Sequence, residues 1–150
     1  MMRLTRRTLL AIEAVLDVAL YARPDPVQSK DITKRQGVPQ RYLEQVMQQL
    51  VHRGILQSVR GPKGGYILAR ERRRISVGEI VRLVDELERS TEGGSQDLSE
   101  LLSQIVQPLW NEIETDMLRR LDAVTIEELS ERANKQGVAA IPVDTKDFTI

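Results

Sequence analysis

The chain has 150 residues with 41% hydrophobic content, enough for one compact core and too apolar to be disordered by composition. It has no cysteine and a single histidine, His52, which excludes disulfides and thiolate metal sites and makes a histidine-rich one unlikely. The formal net charge of zero hides a split: residues 1–75 carry 15 Lys/Arg against 6 Asp/Glu, a net +9, and residues 76–150 carry 7 against 16, a net −9. Such a division points one half at a polyanion and the other away from it.

No run of eighteen apolar residues and no signal-peptide pattern occurs, so the sequence predicts a cytoplasmic protein. Aromatic residues are only 3% of the chain, too few for the stacking platforms that hold single-stranded nucleic acid.

In chain order, Leu9, Leu10, Ile12, Val15, Leu16, Ala19 and Leu20 recur at helical spacing and predict a first helix over about 5–22. Arg23-Pro24-Asp25-Pro26 stops it. Ser29 is a natural N-cap for a short second helix ending at Gln36, with Gly37 as its stop. Pro39 suits the first turn of a third helix running to about Arg53, with Leu43, Val46, Met47, Leu50 and Val51 on its buried side. Residues 55–59 and 66–69 then read as short strands joined through Gly61-Pro62-Lys63-Gly64-Gly65. Ser76-Val77-Gly78-Glu79 has capping-box spacing and opens a fourth helix to about Leu87. From 97 to about 121, Leu98, Leu101, Leu102, Ile105, Leu109, Ile113, Met117 and Leu121 mark a long helix, and Thr125 starts a last short one.

The expected fold class is therefore mainly α with a small β-hairpin wing: a winged helix-turn-helix plus a long C-terminal dimerisation helix. The expected division is 1–87 as the DNA-binding domain, 88–96 as a flexible loop, 97–134 as the dimerisation helix with the short helix after it, and 135–150 as a tail.

A helix of the third one's size fits the major groove of B-DNA. Its exposed N-terminal residues are Gln40, Arg41, Glu44 and Gln45, types that pair with adenine, guanine and the cytosine amino group. Residue type alone leaves open whether they read bases or are simply solvated. Ser29, Lys30 and Lys34 sit where a positioning helix crosses the phosphates. In Arg60-Gly61-Pro62-Lys63-Gly64-Gly65-Tyr66 the glycines allow a tight turn, and Arg60 is placed to enter a narrow minor groove. This loop lies between two strands and lacks a Gly-Lys-Ser/Thr ending, so it does not read as a nucleotide-phosphate loop.

Leu102, Ile105, Leu109, Trp110, Ile113 and Met117 are the candidate dimer seam. Met117, like Met47, also suits a core filler. Arg72-Arg73-Arg74 reads equally well as a DNA-backbone contact or a solvated run. For His52, at the end of the third helix, a phosphate contact or pH sensing is weighed against a bland role at the helix C-terminal dipole. No nucleophile–base pair, metal set or phosphate loop is present, and no enzyme is expected.

The segments Met2-Arg3-Leu4-Thr5, Gln36-Gly37-Val38, Arg41-Tyr42-Leu43-Glu44-Gln45, Ser58-Val59-Arg60-Gly61-Pro62-Lys63-Gly64-Gly65-Tyr66 and Ile75-Ser76-Val77 closely resemble the Rrf-two family of bacterial winged-helix transcription regulators. Trp110 and Val124-Thr125-Ile126 extend the likeness to about residue 133. The resemblance implies a homodimeric repressor on double-stranded DNA with a palindromic operator. It assigns Glu44 and Gln45 to base contacts and Arg60 to the minor groove; Tyr42, Lys63 and Gly64 complete the candidate DNA-binding set. Arg41 stands where a small residue is more usual, which implies a different target sequence.

Cluster-binding members carry three cysteines after the fourth helix. This chain has none, so the resemblance runs to the cysteine-free repressor branch and no cofactor is expected. In that branch the resemblance implies a signal read through a partner, the cysteine-synthesising enzyme O-acetylserine sulfhydrylase. The C-terminal Asp147-Phe148-Thr149-Ile150 looks like the isoleucine-ended tails that enter that enzyme's active site, making Phe148 and Ile150 candidate partner contacts. An ordinary frayed tail is the other reading of the same four residues, and the simpler one.

Overall fold

The structure is a computed structural model and describes residues 5–22, 25–91 and 97–138. Helix α1 (Arg6–Tyr21) starts at Thr5, whose hydroxyl accepts the Thr8 N–H at 3.3 Å. Ala11, Ala14, Val15 and Val18 repeat at helical spacing and are buried, so α1 runs through the centre of the core.

The cap of helix α2 (Ser29–Gln36) lies one residue earlier than expected: Gln28 takes the cap position and Ser29 is already helical. The Gln28 carbonyl accepts from Asp31 and Ile32 N–H, so backbone geometry fixes this start without a hydroxyl cap. Gly37 closes the helix with a left-handed φ of 69°. Two 2.7 Å bonds from the Arg35 guanidinium to buried Asp17 hold α2 on α1. The Arg35 guanidinium also lies 4.2 Å from the Tyr21 ring centroid.

Helix α3 (Gln40–His52) places Leu43, Val46, Met47 and Leu50 in the core, and Pro39 sits just outside the helix, at its cap position. The chain turns at Gly54 and enters an antiparallel hairpin, β1 (Leu56–Val59) with β2 (Gly65–Leu68), in the register Leu56↔Leu68 to Val59↔Gly65. Val27 adds a third backbone partner, accepting the Tyr66 N–H at 2.8 Å and donating to its carbonyl at 3.0 Å. The wing is thereby pinned to the residues that lead into α2.

Helix α4 (Val77–Thr91) opens with a complete capping box: the Glu79 N–H bonds the Ser76 hydroxyl and the Ser76 N–H bonds the Glu79 carboxylate, both at 3.2 Å. It continues past Leu87, so residues 88–91 are helical and not part of a loop. Arg89 explains the extension, pairing with Asp85 one turn back at 2.9 Å and reaching Glu114 at 3.7 Å.

The long helical stretch begins near residue 100 and contains a wide turn, Leu102–Val106, before α5 (Gln107–Asp122). In that turn the Gln107 N–H bonds the Leu102 carbonyl, five residues back. Pro108 follows directly; it has no N–H to donate and would crowd a carbonyl four residues back, which the wider turn relieves.

Helix α6 (Ile126–Lys135) starts on the Thr125 hydroxyl, which accepts the Glu128 N–H at 3.1 Å. It folds back instead of following α5 outward. Ile126 is fully buried in the same core as α1, α3 and α4, and its N–H bonds the Ile75 carbonyl at 2.9 Å. The expected 97–134 unit is thus divided by packing, with α6 joined to the N-terminal core. Val77 and Val81 form a second small cluster with Met117, Leu118 and Leu121, fixing the base of α5 on α4.

Gly78 makes that docking possible. A Cβ there would lie 1.9 Å from the Asp122 Oδ1 and 3.0 Å from its backbone nitrogen. Asp122 in turn pairs with Arg82 through both carboxylate oxygens, one contact being 2.8 Å, and these hydrogen bonds hold its carboxyl below the ordinary value. Gly78→Ala should therefore destabilise by about 1–3 kcal/mol, outweighing the ~1 kcal/mol that alanine gains over glycine in a helix. Denaturant titration checks this, and an Asp122→Ala background should recover part of the loss. An unchanged midpoint for Gly78→Ala would show that the two helices have room to spare.

Candidate nucleic-acid interface

The exposed residues of α3 fall at 40, 41, 44, 45, 48 and 52, one stripe along the outside of the helix. Gln40, Arg41, Glu44 and Gln45 are all on it, as the sequence reading expects. Gln48 continues the stripe and is absent from that reading, although its helical spacing from Glu44 was legible. Gln40 Nε2 donates to Glu44 Oε1 at 3.0 Å, so these two side chains hold each other in place.

Tyr42 belongs elsewhere. It is half-buried, packs against the core, and carries the Arg7 guanidinium 5.2 Å from its ring centroid. Burial pushes its phenol pKa up, with Arg7 acting against that rise. Position 42 falls on the side of α3 facing α1, one residue out of phase with the exposed stripe. The set Arg41-Tyr42-Glu44-Gln45 does not therefore present as one surface.

Beside α3 lies an open groove of about 370 Å³ whose walls include Ser29, Lys30, Gln40, Ser58, Gly64 and Tyr66. The groove unites the start of α2, the start of α3 and the wing. Gln28 is new on these walls, and Tyr66 enters the sequence reading only as the last residue of the wing motif. Gln28 Nε2 reaches the Pro62 carbonyl at 3.4 Å and ties α2 to the wing tip. Tyr66 has its phenol pKa raised by burial and, after that, by the negative charge of Glu44. No local pattern marks Gln28, because its partner lies 34 residues away.

The wing tip is shaped by backbone contacts. Gly64 N–H donates to the Gly61 carbonyl at 2.9 Å, and Gly61 adopts φ 113°, a region closed to most side chains. Gly64 itself is buried: a Cβ on it would sit 2.2 Å from the Val59 carbonyl oxygen. On Gly65 a Cβ would sit 2.4 Å from the Val27 carbonyl oxygen. Both glycines therefore close the hairpin and seat it on Val27, and Gly64 offers a ligand little surface. Arg60 and Lys63 project from this frame and are exposed.

Charge pairing sets the cations around the groove apart from Arg35, Arg53, Arg70 and Arg73 of the same half, which each pair with a carboxylate. Among the described residues Lys30, Lys34, Arg41, Arg60 and Lys63 form no ion pair. In the C-terminal half Arg82, Arg89, Arg119 and Arg132 each pair with a carboxylate. Arg73 pairs with Glu71 at 2.6 Å, and Arg72 and Arg73 lie beside Glu127 of α6. His52 is exposed at the end of α3.

On the long helix Leu102, Ile105, Leu109, Trp110 and Ile113 are all exposed, together with Leu101 and Val106, which the candidate seam omits. Met117 differs, being half-buried against Val77 and Val81 of its own chain, which is its core-filler reading. The candidate partner contacts Phe148 and Ile150 lie outside the described residues. No helix among the described residues is long and apolar enough to cross a membrane.

The Rrf2 family model, described as an iron-dependent transcriptional regulator, matches residues 4–132. The chain is 36% identical over 146 residues to the HTH-type transcriptional regulator IscR of Xenorhabdus nematophila, covering 92% of this chain and 85% of that one. Among solved structures it is similar to T. potens IscR, with TM-score 0.70 and 30% identity over 89% of this chain and 90% of that one. It is also similar to the oxidised form of Staphylococcus aureus CymR, with TM-score 0.68 and 27% identity over 87% and 97%. These relatives are regulators and not enzymes. With a helical core, an antiparallel wing and a family match over most of its length, the chain belongs to the Rrf2 family of winged-helix, DNA-binding transcription regulators.

Proposed function

We propose that this protein is a sequence-specific repressor that binds DNA as a homodimer and carries no iron–sulfur cluster. The observation that carries the reading is the groove between α3 and the wing, whose surroundings hold Lys30, Arg41, Arg60 and Lys63, cations with no ion pair among the described residues. Unpaired exposed cations at a concave surface are what a phosphate backbone needs, since each neutralised phosphate releases counterions. Arg41, Glu44 and Gln45 supply donors and acceptors for base edges in the major groove, with Arg60 serving the minor groove. Ser29 and Lys30 position the backbone, as does Lys63. Tyr42 and Gly64 support this surface from behind.

The homodimer reading rests on the exposed apolar face of Leu101, Leu102, Ile105, Leu109, Trp110 and Ile113. A run of that size on one helix is expensive to leave in water. Two copies related by a two-fold axis would present two reading helices to a palindromic operator.

The iron chemistry of the family description has no ligand set here. Clusters of this kind are held by cysteine thiolates, and the sequence contains none. His52 stands alone on α3, and among the described residues no three His, Cys, Asp or Glu side chains converge. The regulatory signal is accordingly one that needs no thiolate.

Arg60→Ala is the direct test. Gel shifts on genomic fragments at one stated salt concentration should show specific binding weakened by roughly 1–3 kcal/mol. Unchanged affinity and specificity would remove Arg60 from the reading surface.

A further inference from the structure

A second cavity, of about 350 Å³, opens between the start of α1, the inner flank of α3 and the end of α4. Its size is at the small end of ligand sites, which suits a metabolite and not a nucleotide. The polar wall is made by Arg7, Gln45, Gln48, Gln49 and Ser90, and the apolar part by Val46, Leu87 and the Tyr42 ring. Arg7 forms no ion pair among the described residues; its one recorded contact is the stacked Tyr42 ring, which leaves the N–H fork available to a ligand carboxylate. The Ser90 hydroxyl donates to the Leu87 carbonyl at 2.8 Å and keeps its acceptor positions.

Charge narrows the ligand class. Glu88 is held by the Thr5 hydroxyl at 3.1 Å and puts a negative charge on the same wall. Arg7 is the one cation among the lining residues, so it matches a single carboxylate and repels a cation. The glutamine amides offer donors and acceptors to neutral substituents, and Arg7 already covers one face of the Tyr42 ring.

We infer that this crevice is an effector site for a small monoanionic carboxylate carrying hydrogen-bonding substituents, and that filling it weakens DNA binding. The link runs through Gln45, which lines the crevice and also lies on the exposed reading stripe of α3. An amide engaged by the ligand is withdrawn from a base edge. The coupling half rests on the DNA-reading surface proposed above; the binding half does not.

The test uses the full chain with lactate, pyruvate, alanine, serine and glutamine as probes, and succinate and inorganic phosphate as dianionic controls. Calorimetry and the NMR signals of the glutamine side-chain amides are recorded without DNA. At least one monocarboxylate should bind with a Kd of about 1 mM or tighter and shift the Gln45, Gln48 or Gln49 amides, with the controls roughly tenfold weaker. Arg7→Gln should lose about tenfold in affinity, and Ser90→Tyr, which puts a bulky ring on a lining position, should abolish binding. No binding of any probe at about 10 mM, shifts confined to other residues, or wild-type affinity in both folded variants would overturn the site.

With the best probe at saturation, gel shifts at fixed salt should show weaker DNA binding, by the same factor with which DNA weakens the probe. An intact carboxylate site with unchanged DNA affinity overturns the coupling. A protein that binds no DNA under any condition overturns the regulator reading, while the calorimetry still decides the site.

Discussion

Ile113→Glu should convert the protein to a monomer that remains fully folded, and specific DNA affinity should fall by about 10²–10⁴-fold. The two outcomes separate because Ile113 is 54% exposed within its own chain and supports no intramolecular core. Trp110 and Leu109 lie on the same exposed face, 47% and 57% accessible, so a carboxylate introduced there would be desolvated among apolar side chains on assembly. Each reading helix alone would then hold one half-site, and the loss reflects the second binding event ceasing to be intramolecular. Sedimentation measures the mass, circular dichroism the fold, and a gel shift at one salt concentration the affinity. Asn111→Glu, on the opposite side of α5, is the control and should change none of them. If Ile113→Glu still sediments as a dimer at micromolar concentration, the apolar face serves something other than self-association.

Gly64→Ala should disable the wing while leaving the helical core intact. Alanine elsewhere in a hairpin is a mild change, but here the added Cβ would fall 2.2 Å from the Val59 carbonyl oxygen and 2.9 Å from the Gly61 carbonyl oxygen. Both are backbone atoms, so relief requires the hairpin itself to open. That displaces Arg60 and Lys63 together and loosens the contact between Tyr66 and Val27. Specific affinity should fall by at least as much as for Arg60→Ala, roughly 10–100-fold, with a stability cost of about 1–3 kcal/mol. A variant that folds and binds with wild-type affinity would show the wing to be dispensable. Comparing Gly64→Ala with Lys63→Ala then distinguishes shape from charge, because only the latter should lower the salt dependence of binding without moving the hairpin.

These outcomes bear on how the family's architecture is used here. Among the described residues the cations around the groove, Lys30, Arg41, Arg60 and Lys63, form no ion pair, whereas Arg82, Arg89, Arg119 and Arg132 of the acidic half each pair with a carboxylate. Arg89 bridges α4 to Glu114 of α5, and Arg82 bridges it to Asp122. The helix that carries the exposed apolar face is thus tied to the DNA-binding core by ion pairs and by the Val77–Met117 cluster. Helix α4 is therefore shared by the walls of the crevice and by the docking of α5.

The sequence by itself determined the chain's chemistry and the order of its elements. The lack of cysteine is complete before any folding, and it removes thiolate-held iron. Helical spacing located α1, α3 and α5, because an amphipathic period of 3.6 is a local property. The glycine-rich turn between two short strands marked the wing for the same reason. What only the tertiary structure decided is which side of each helix meets a neighbour. Tyr42 sits within a motif of exposed residues, yet it turns toward Arg7, whose position depends on how α1 crosses α3. Met117 continues the apolar stripe of α5 but is covered by α4, since the stripe passes from solvent to core along the helix. The return of α6 to bury Ile126 beside Ile75 joins residues 51 positions apart, and no local period announces such a contact. The absence of cysteine told where the signal does not bind, and the crevice under Arg7 required the packed chain to be seen.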